Sequence, residues 1–149
     1  IDYAAANNKE LENFYPAFKA VKDYVVQAPE KTTGWYLPSI GQWYDFTANL
    51  GGLPSWDDAI NEGNDLTPNL YRWSNQTELV SKINAYFEPL GTGNYDAIPN
   101  GSYQKFFSSS TYSDSGIWTW FVGKQANVVQ CWHNVRYNSD SAVRPILAF

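Results

Sequence analysis

The sequence predicts an α+β domain in which helices pack against a small antiparallel β-sheet. Two patterns and one compositional fact carry that prediction. Apolar residues recur at helical spacing through the first half of the chain, whereas short β-prone runs broken by Ser, Asn, Asp and Gly fill the last third. The 149 residues also include 7 Trp, 11 Tyr and 8 Phe, enough aromatic area for a real core and too much for a disordered segment. Helices followed by a strand meander imply an antiparallel sheet with the helices on one side, and residues 1–149 read as one domain.

The elements follow in order. Leu11, Phe14, Phe18, Val21 and Val25 alternate spacings of three and four, which predicts a helical stripe that Pro29 ends. Asn7 and Glu10 can cap its start, and Pro16 implies that the helix either kinks or properly begins there. Ser39 and Gln42 form a capping box directly after Pro38, and Ile40, Trp43, Phe46 and Leu50 follow at helical spacing up to Gly51-Gly52. Residues 53–73 contain Pro54, Gly63, Asn64 and Pro68 without periodicity and read as an irregular connection. A third helix is expected from Asn75, capped with Glu78, carrying Leu79, Ile83 and Phe87 and ending before Pro89. Strands are expected around Phe106-Phe107 and over 117–122, 128–132 and 143–149. In the second of these Trp118, Trp120 and Val122 alternate with Thr119, Phe121 and Gly123 and so take the opposite face.

Charge excludes several functions. Charged residues are only 17% of the chain, against roughly 25% in an average domain. The surface is therefore largely Asn, Ser, Thr, Tyr and Gln. A net charge of −5 with no Lys/Arg cluster argues against nucleic acid. No apolar run approaches the roughly 18 residues that cross a bilayer, so this segment reads as soluble, without membrane insertion. The chain begins at Ile1 and has no Met, which suggests a processed product or an excised part of a longer protein.

Two segments carry a resemblance. Gly34-Trp35-Tyr36-Leu37-Pro38-Ser39 before a helix, and the closing Val143-Arg144-Pro145-Ile146-Leu147-Ala148-Phe149, resemble bacterial C-type-lectin-like domains. This is the family of the carboxy-terminal domain of the Legionella collagen-like adhesin and of the tails of Bacteroides fimbrillin-type surface proteins, related in fold to formylglycine-generating enzymes. Between the two segments, Phe107-Ser108-Ser109-Ser110-Thr111 and Trp118 resemble that family's aromatic-Ser-Ser-Thr and tryptophan strands. The resemblance implies a C-type-lectin-like fold and an extracellular or cell-surface binding role. Residues 107–149 further resemble the variable region of proteins diversified by bacterial retroelements. Adenine-directed mutagenesis of Asn and Tyr codons would yield the types found at Tyr112, Ser113, Asp114, Ile117, Thr119, Phe121, Cys131, His133, Val135, Tyr137, Asn138 and Asp140. Trp120, Lys124, Gln125, Gln130 and Trp132 are not among those types and would be fixed by the template.

Catalysis and metal binding find little in the residues. The formylglycine-generating relatives use a cysteine pair, and Cys131 is the single cysteine here. Cys131 and His133 read as surface or rim residues, because side chains two apart on a strand run parallel and no third orienting group is evident. One histidine excludes a multi-His metal site. Glu88-Pro89-Leu90 and Trp132-His133-Asn134 lack the oxygen ligands of the calcium-dependent sugar lectins. The acidic Asp57, Asp58, Glu62 and Asp65 could in principle hold Ca²⁺ but read rather as a solvated helix start or loop face. No cofactor or metal is expected.

The resemblance implies that Trp35, Trp43 and Trp118 lie in the core; Trp120, on the same strand face as Trp118, is expected there too, and Arg144 as a buried, paired guanidinium. Trp132, in the polar stretch Gln130-Cys131-Trp132-His133-Asn134, can be exposed or buried; exposed, it is a natural binding anchor. The expected function is a noncatalytic adhesin or ligand-binding module of a bacterial surface or secreted protein. Its ligand, a protein or a carbohydrate, would meet Tyr112, Asp114, Thr119, Phe121, Gln130, Trp132, His133, Tyr137 and Asp140. A fimbrial docking domain and an enzyme related to the formylglycine-generating proteins are the alternatives.

Overall fold

A computed structural model describes residues 10, 15–52, 60–61, 71–74, 76–91, 93, 95–100, 104–113, 116–123, 128–135 and 141–148. At 60–61, 71–74, 123, 128, 130 and 132–135 it describes the backbone alone. The architecture is α+β. Helices α1 (Pro16–Lys22) and α2 (Ile40–Gly51) precede strands β1 (Ile60–Asn61) and β2 (Tyr71–Ser74). Helix α3 (Gln76–Ala85) and a 3-10 turn (Glu88–Leu90) follow, then β3 (Gln104–Thr111), β4 (Gly116–Gly123), β5 (Val128–Val135) and β6 (Ser141–Ala142).

The strands form one sheet in the order β1-β2-β5-β4-β3-β6. Its centre is the three eight-residue strands β3, β4 and β5, paired antiparallel. β6 joins β3 in parallel, Lys105 opposite Ser141, so the expectation of a wholly antiparallel sheet is corrected. So is the irregular connection 53–73: within it β1 pairs with β2, and β2 pairs with β5 through Trp73 and Val129. Such two- and four-residue edge strands carry too little periodicity to stand out in a sequence. The expected strand 143–149 is also absent among the described residues. That segment instead makes a single bridge, Tyr36 N to Ile146 O at 3.1 Å and Ile146 N to Tyr36 O at 3.0 Å. Thr33 N donates to Ala148 O at 3.0 Å just beyond, and the two family-like segments are thereby tied together.

Helix α2 begins at the capping box. Ser39 Oγ accepts from Gln42 N at 3.2 Å, and Gln42 Oε1 accepts from Ser39 N at 2.9 Å. Gly52 stops the helix in the left-handed conformation at φ 69°. Helix α1 begins at Pro16, the alternative in which proline occupies the first turn. It ends at Lys22, seven residues before Pro29, so the stripe does not reach Val25, which is 93% exposed. A run of two β-branched valines favours leaving the helix, and Trp35 Nε1 holds the departing chain by donating to Val26 O at 2.6 Å. Leu11 and Phe14, with the cap residue Asn7, lie outside the described residues, as does Asn75 of the third helix's cap.

Two apolar clusters fill the interior. Trp43 and Tyr44 of α2, Leu79, Val80 and Ile83 of α3, and Phe106, Trp120, Val122, Val129 and Cys131 of the sheet make the larger. Ala17 and Val21 of α1 join Leu37, Phe107 and Ile117 in the other. Phe106 and Phe107 are sequence neighbours on β3 and so take opposite faces. The helices therefore cover both faces, not one as the element order suggested. Trp43 and Trp120 are fully buried, while Trp35 and Trp118 are half-buried rather than deep in the core.

Candidate functional site

The segment that resembles the aromatic-Ser-Ser-Thr motif is where the sheet meets α2. Ladder pairs Phe107–Thr119 and Thr111–Ile117 leave Ser108, Ser109 and Ser110 against Trp118 alone, a bulge. Each serine takes over a polar group that the bulge or the helix start leaves without its regular partner. Ser108 Oγ donates to Trp118 O at 2.6 Å, and Ser109 N donates to Pro38 O at 2.8 Å. Ser110 Oγ accepts from Ile40 N at 3.0 Å, capping the first turn of α2 from outside. Buried backbone groups without partners cost about 1–3 kcal/mol each, so the serine run fixes β3 onto the helix start.

Beyond the bulge, the β3–β4 hairpin ends at Tyr112, which is 38% exposed. Its backbone is pinned, Tyr112 N donating to Gly116 O at 3.0 Å. Its ring stands edge-on to Trp118, centroids 5.3 Å apart and planes 89° to one another. A half-buried indole on a central strand thus supports an exposed phenol, which is a rigid aromatic contact with few rotamers left to lose.

The other expected contact residues distribute unevenly. Thr119 has no exposed surface: it is flanked on the ladder by Phe107 and lies in the middle of the sheet, so it is removed from the set of ligand contacts. Phe121 is half-buried. Gln130, Trp132 and His133 occupy β5 positions opposite Phe121, Thr119 and Trp118. Asp114, Tyr137 and Asp140 lie outside the described residues, as do Asp57, Asp58, Glu62 and Asp65. Among the described residues no group of acidic, His and Cys side chains could hold a metal ion.

Cys131 is not a rim residue. It sits opposite Trp120 on the ladder and is fully buried in the larger cluster. Burial pushes its thiol up from the ordinary range, and a hydrogen bond with the Tyr44 side chain only partly offsets that. At neutral pH it is a protonated thiol without access to solvent, the reverse of an activated nucleophile.

Sequence reasoning passed over a concavity. A groove of about 590 Å³ runs between the 3-10 turn, residues 95–99 and the segment 142–145, and Tyr24, Trp35, Phe87, Tyr95, Asp96 and Arg144 line it. Arg144 is half-buried. Its Nη2 donates to Asp96 O, and its guanidinium lies 5.2 Å from the Phe87 ring centroid. Burial lowers its pKa while the nearby Asp96 charge raises it. It makes no ion pair among the described residues, which corrects the expectation of a paired, buried guanidinium. The only earlier signal was an arginine in an apolar run; its carbonyl partner is 48 positions away in the chain.

No protein-family model, curated protein or solved structure matches this chain.

Proposed function

We propose that this chain is a noncatalytic, extracellular ligand-binding module of C-type-lectin-like type, serving as an adhesin of a bacterial surface or secreted protein. The observation that carries the reading is Tyr112, an exposed phenol buttressed by Trp118 at the tip of a hydrogen-bonded hairpin. Rigid aromatic anchors beside adaptable Ser and Asn contacts make recognition surfaces in which little ordering entropy is lost on binding. Neighbouring Ser113 is exposed as well, and Gln130, Trp132 and His133 stay in the proposed contact set at their β5 positions. Retroelement diversification is kept for exposed positions such as Tyr112 and Ser113. Randomising the enclosed Ile117, Thr119 or Cys131 would disturb packing.

The buried, protonated Cys131 speaks against the formylglycine-type alternative. The fimbrial docking alternative has one observation in its favour, the exposed apolar run Tyr24, Val25 and Val26, of which Tyr24 lines the same groove as the exposed Leu90. Light scattering on the purified chain separates the two: a binding module stays monomeric, whereas a docking domain self-associates. A glycan and extracellular-protein array probed with the wild type and with Trp132→Ala then tests binding itself. Ligands that the variant loses support the reading, and an array without ligands overturns it.

A further inference from the structure

The groove beside Arg144 is lined by other residues than the exposed hairpin end at Tyr112, and its walls are fixed from several directions. Asn84 clamps the loop on one side, its Nδ2 donating to Ile98 O and its Oδ1 accepting from Ile98 N, both at 2.8 Å. The Tyr36–Ile146 bridge holds the opposite wall two residues beyond Arg144. Phe87, under the guanidinium, is itself packed by Phe46 at 6.4 Å and Tyr95 at 5.8 Å between centroids. Arg144 therefore has little freedom left before any ligand arrives.

A guanidinium has five N–H donors in a planar fork. One of these is committed to Asp96 O, and no described residue accepts the others. The charge is partly desolvated and lines a cavity whose size is that of small-molecule sites, about 300–1,000 Å³. Around it stand the rings of Tyr24, Trp35 and Tyr95. A fixed, underused fork matches a carboxylate, which accepts two parallel hydrogen bonds. The ring-lined walls match a flat apolar body attached to it.

We propose that this groove binds a small organic carboxylate bearing a planar ring, with Arg144 taking the carboxylate. Asp96 then has a definite part. Its carbonyl oxygen orients the guanidinium, while its exposed side-chain carboxylate repels the incoming anion and tempers affinity.

The probes are phenylacetate, phenylacetamide and acetate, titrated at millimolar concentration into the whole chain and followed by amide, indole and guanidinium N–H NMR signals. Phenylacetate is expected to shift the Trp35 Nε1–H and Arg144 signals saturably and to bind about tenfold more tightly than phenylacetamide, the step from a charged to a neutral hydrogen-bond acceptor, and also more tightly than acetate, which keeps the charge but lacks the ring. Asp96→Asn is expected to tighten phenylacetate severalfold and leave phenylacetamide unchanged. Leu90→Asp, at an exposed position of the groove rim, is expected to weaken it severalfold in a fold that Arg144→Gln could disturb. Equal binding of phenylacetamide or acetate, looser binding by Asp96→Asn, or no saturable shift at the groove overturns the proposal. None of these results bears on the hairpin ligand, which is measured separately.

Discussion

The indole of Trp43 lies flat against that of Trp120, with centroids 4.9 Å apart and planes 2° from parallel. The pair joins α2 to the central strand β4, and Phe46 closes it with its ring edge-on to both. Thr47, one helical turn after Trp43, links the Trp120 indole to the backbone of α2 by hydrogen bonds. Trp120 Nε1 donates to Thr47 Oγ1 at 2.8 Å, Thr47 Oγ1 donates to Trp43 O at 2.7 Å, and Trp43 Nε1 donates to Phe107 O at 3.1 Å. Every polar atom of this buried aromatic block thus has a partner, so a large indole can sit in the core without an unmet N–H.

Thr47→Val keeps the shape of the side chain but leaves the buried Trp120 N–H without an acceptor. Urea unfolding should show a loss of about 1–3 kcal/mol. Thr47→Ser, which retains the hydroxyl, should lose clearly less.

Ser39→Ala removes one half of the capping box at the start of α2. The expected cost is about 1 kcal/mol, read as a lower urea midpoint at unchanged slope. Ser110→Ala, which strips the outside cap from Ile40 N, should act in the same direction, and the double variant should be nearly additive if the two caps work independently.

The buried thiol of Cys131 predicts a pH dependence of known sign. Its folded pKa is raised, so below the unfolded value near 8.5 both states hold the proton and the group has no effect on stability. Above it the unfolded chain releases the proton first, and stability falls as pH rises. Between pH 8 and 10 the wild type should lose about 2 kcal/mol more than Cys131→Ala, following one proton of linkage. A thiol reagent at pH 8 should correspondingly label the native protein only as fast as it opens.

Local rules made parts of this fold legible and long-range ones did not. Ser39, Gln42 and Gly51-Gly52 mark α2 because capping and left-handed stops act within a few residues. The alternation of Trp118, Trp120 and Val122 placed Trp120 in the core for the same reason. Val25 misled, since a helical stripe in sequence does not show that the chain turns away at Asp23 to be held by Trp35. Thr119 looked like a polar contact residue. Its burial is set by Phe107 on the next strand, a partner that no local pattern names. The groove escaped notice because Asp96, Phe87 and Arg144 meet only after folding. The serine run drew attention by resemblance, but its task of joining a bulge to a helix start is visible only in the hydrogen bonds.

The account of function centres on Tyr112 as a preset contact. Its most direct test is isothermal titration of a ligand selected on the array, with wild type, Tyr112→Ala and the buried control Thr119→Ser. Loss of a central aromatic anchor is expected to weaken binding by about 30-fold or more, the effect of roughly 2 kcal/mol. Thr119→Ser should bind as the wild type does, and Tyr112→Ala should keep the wild-type urea midpoint. Unchanged affinity in Tyr112→Ala, or a loss only in Thr119→Ser, would contradict recognition through the hairpin.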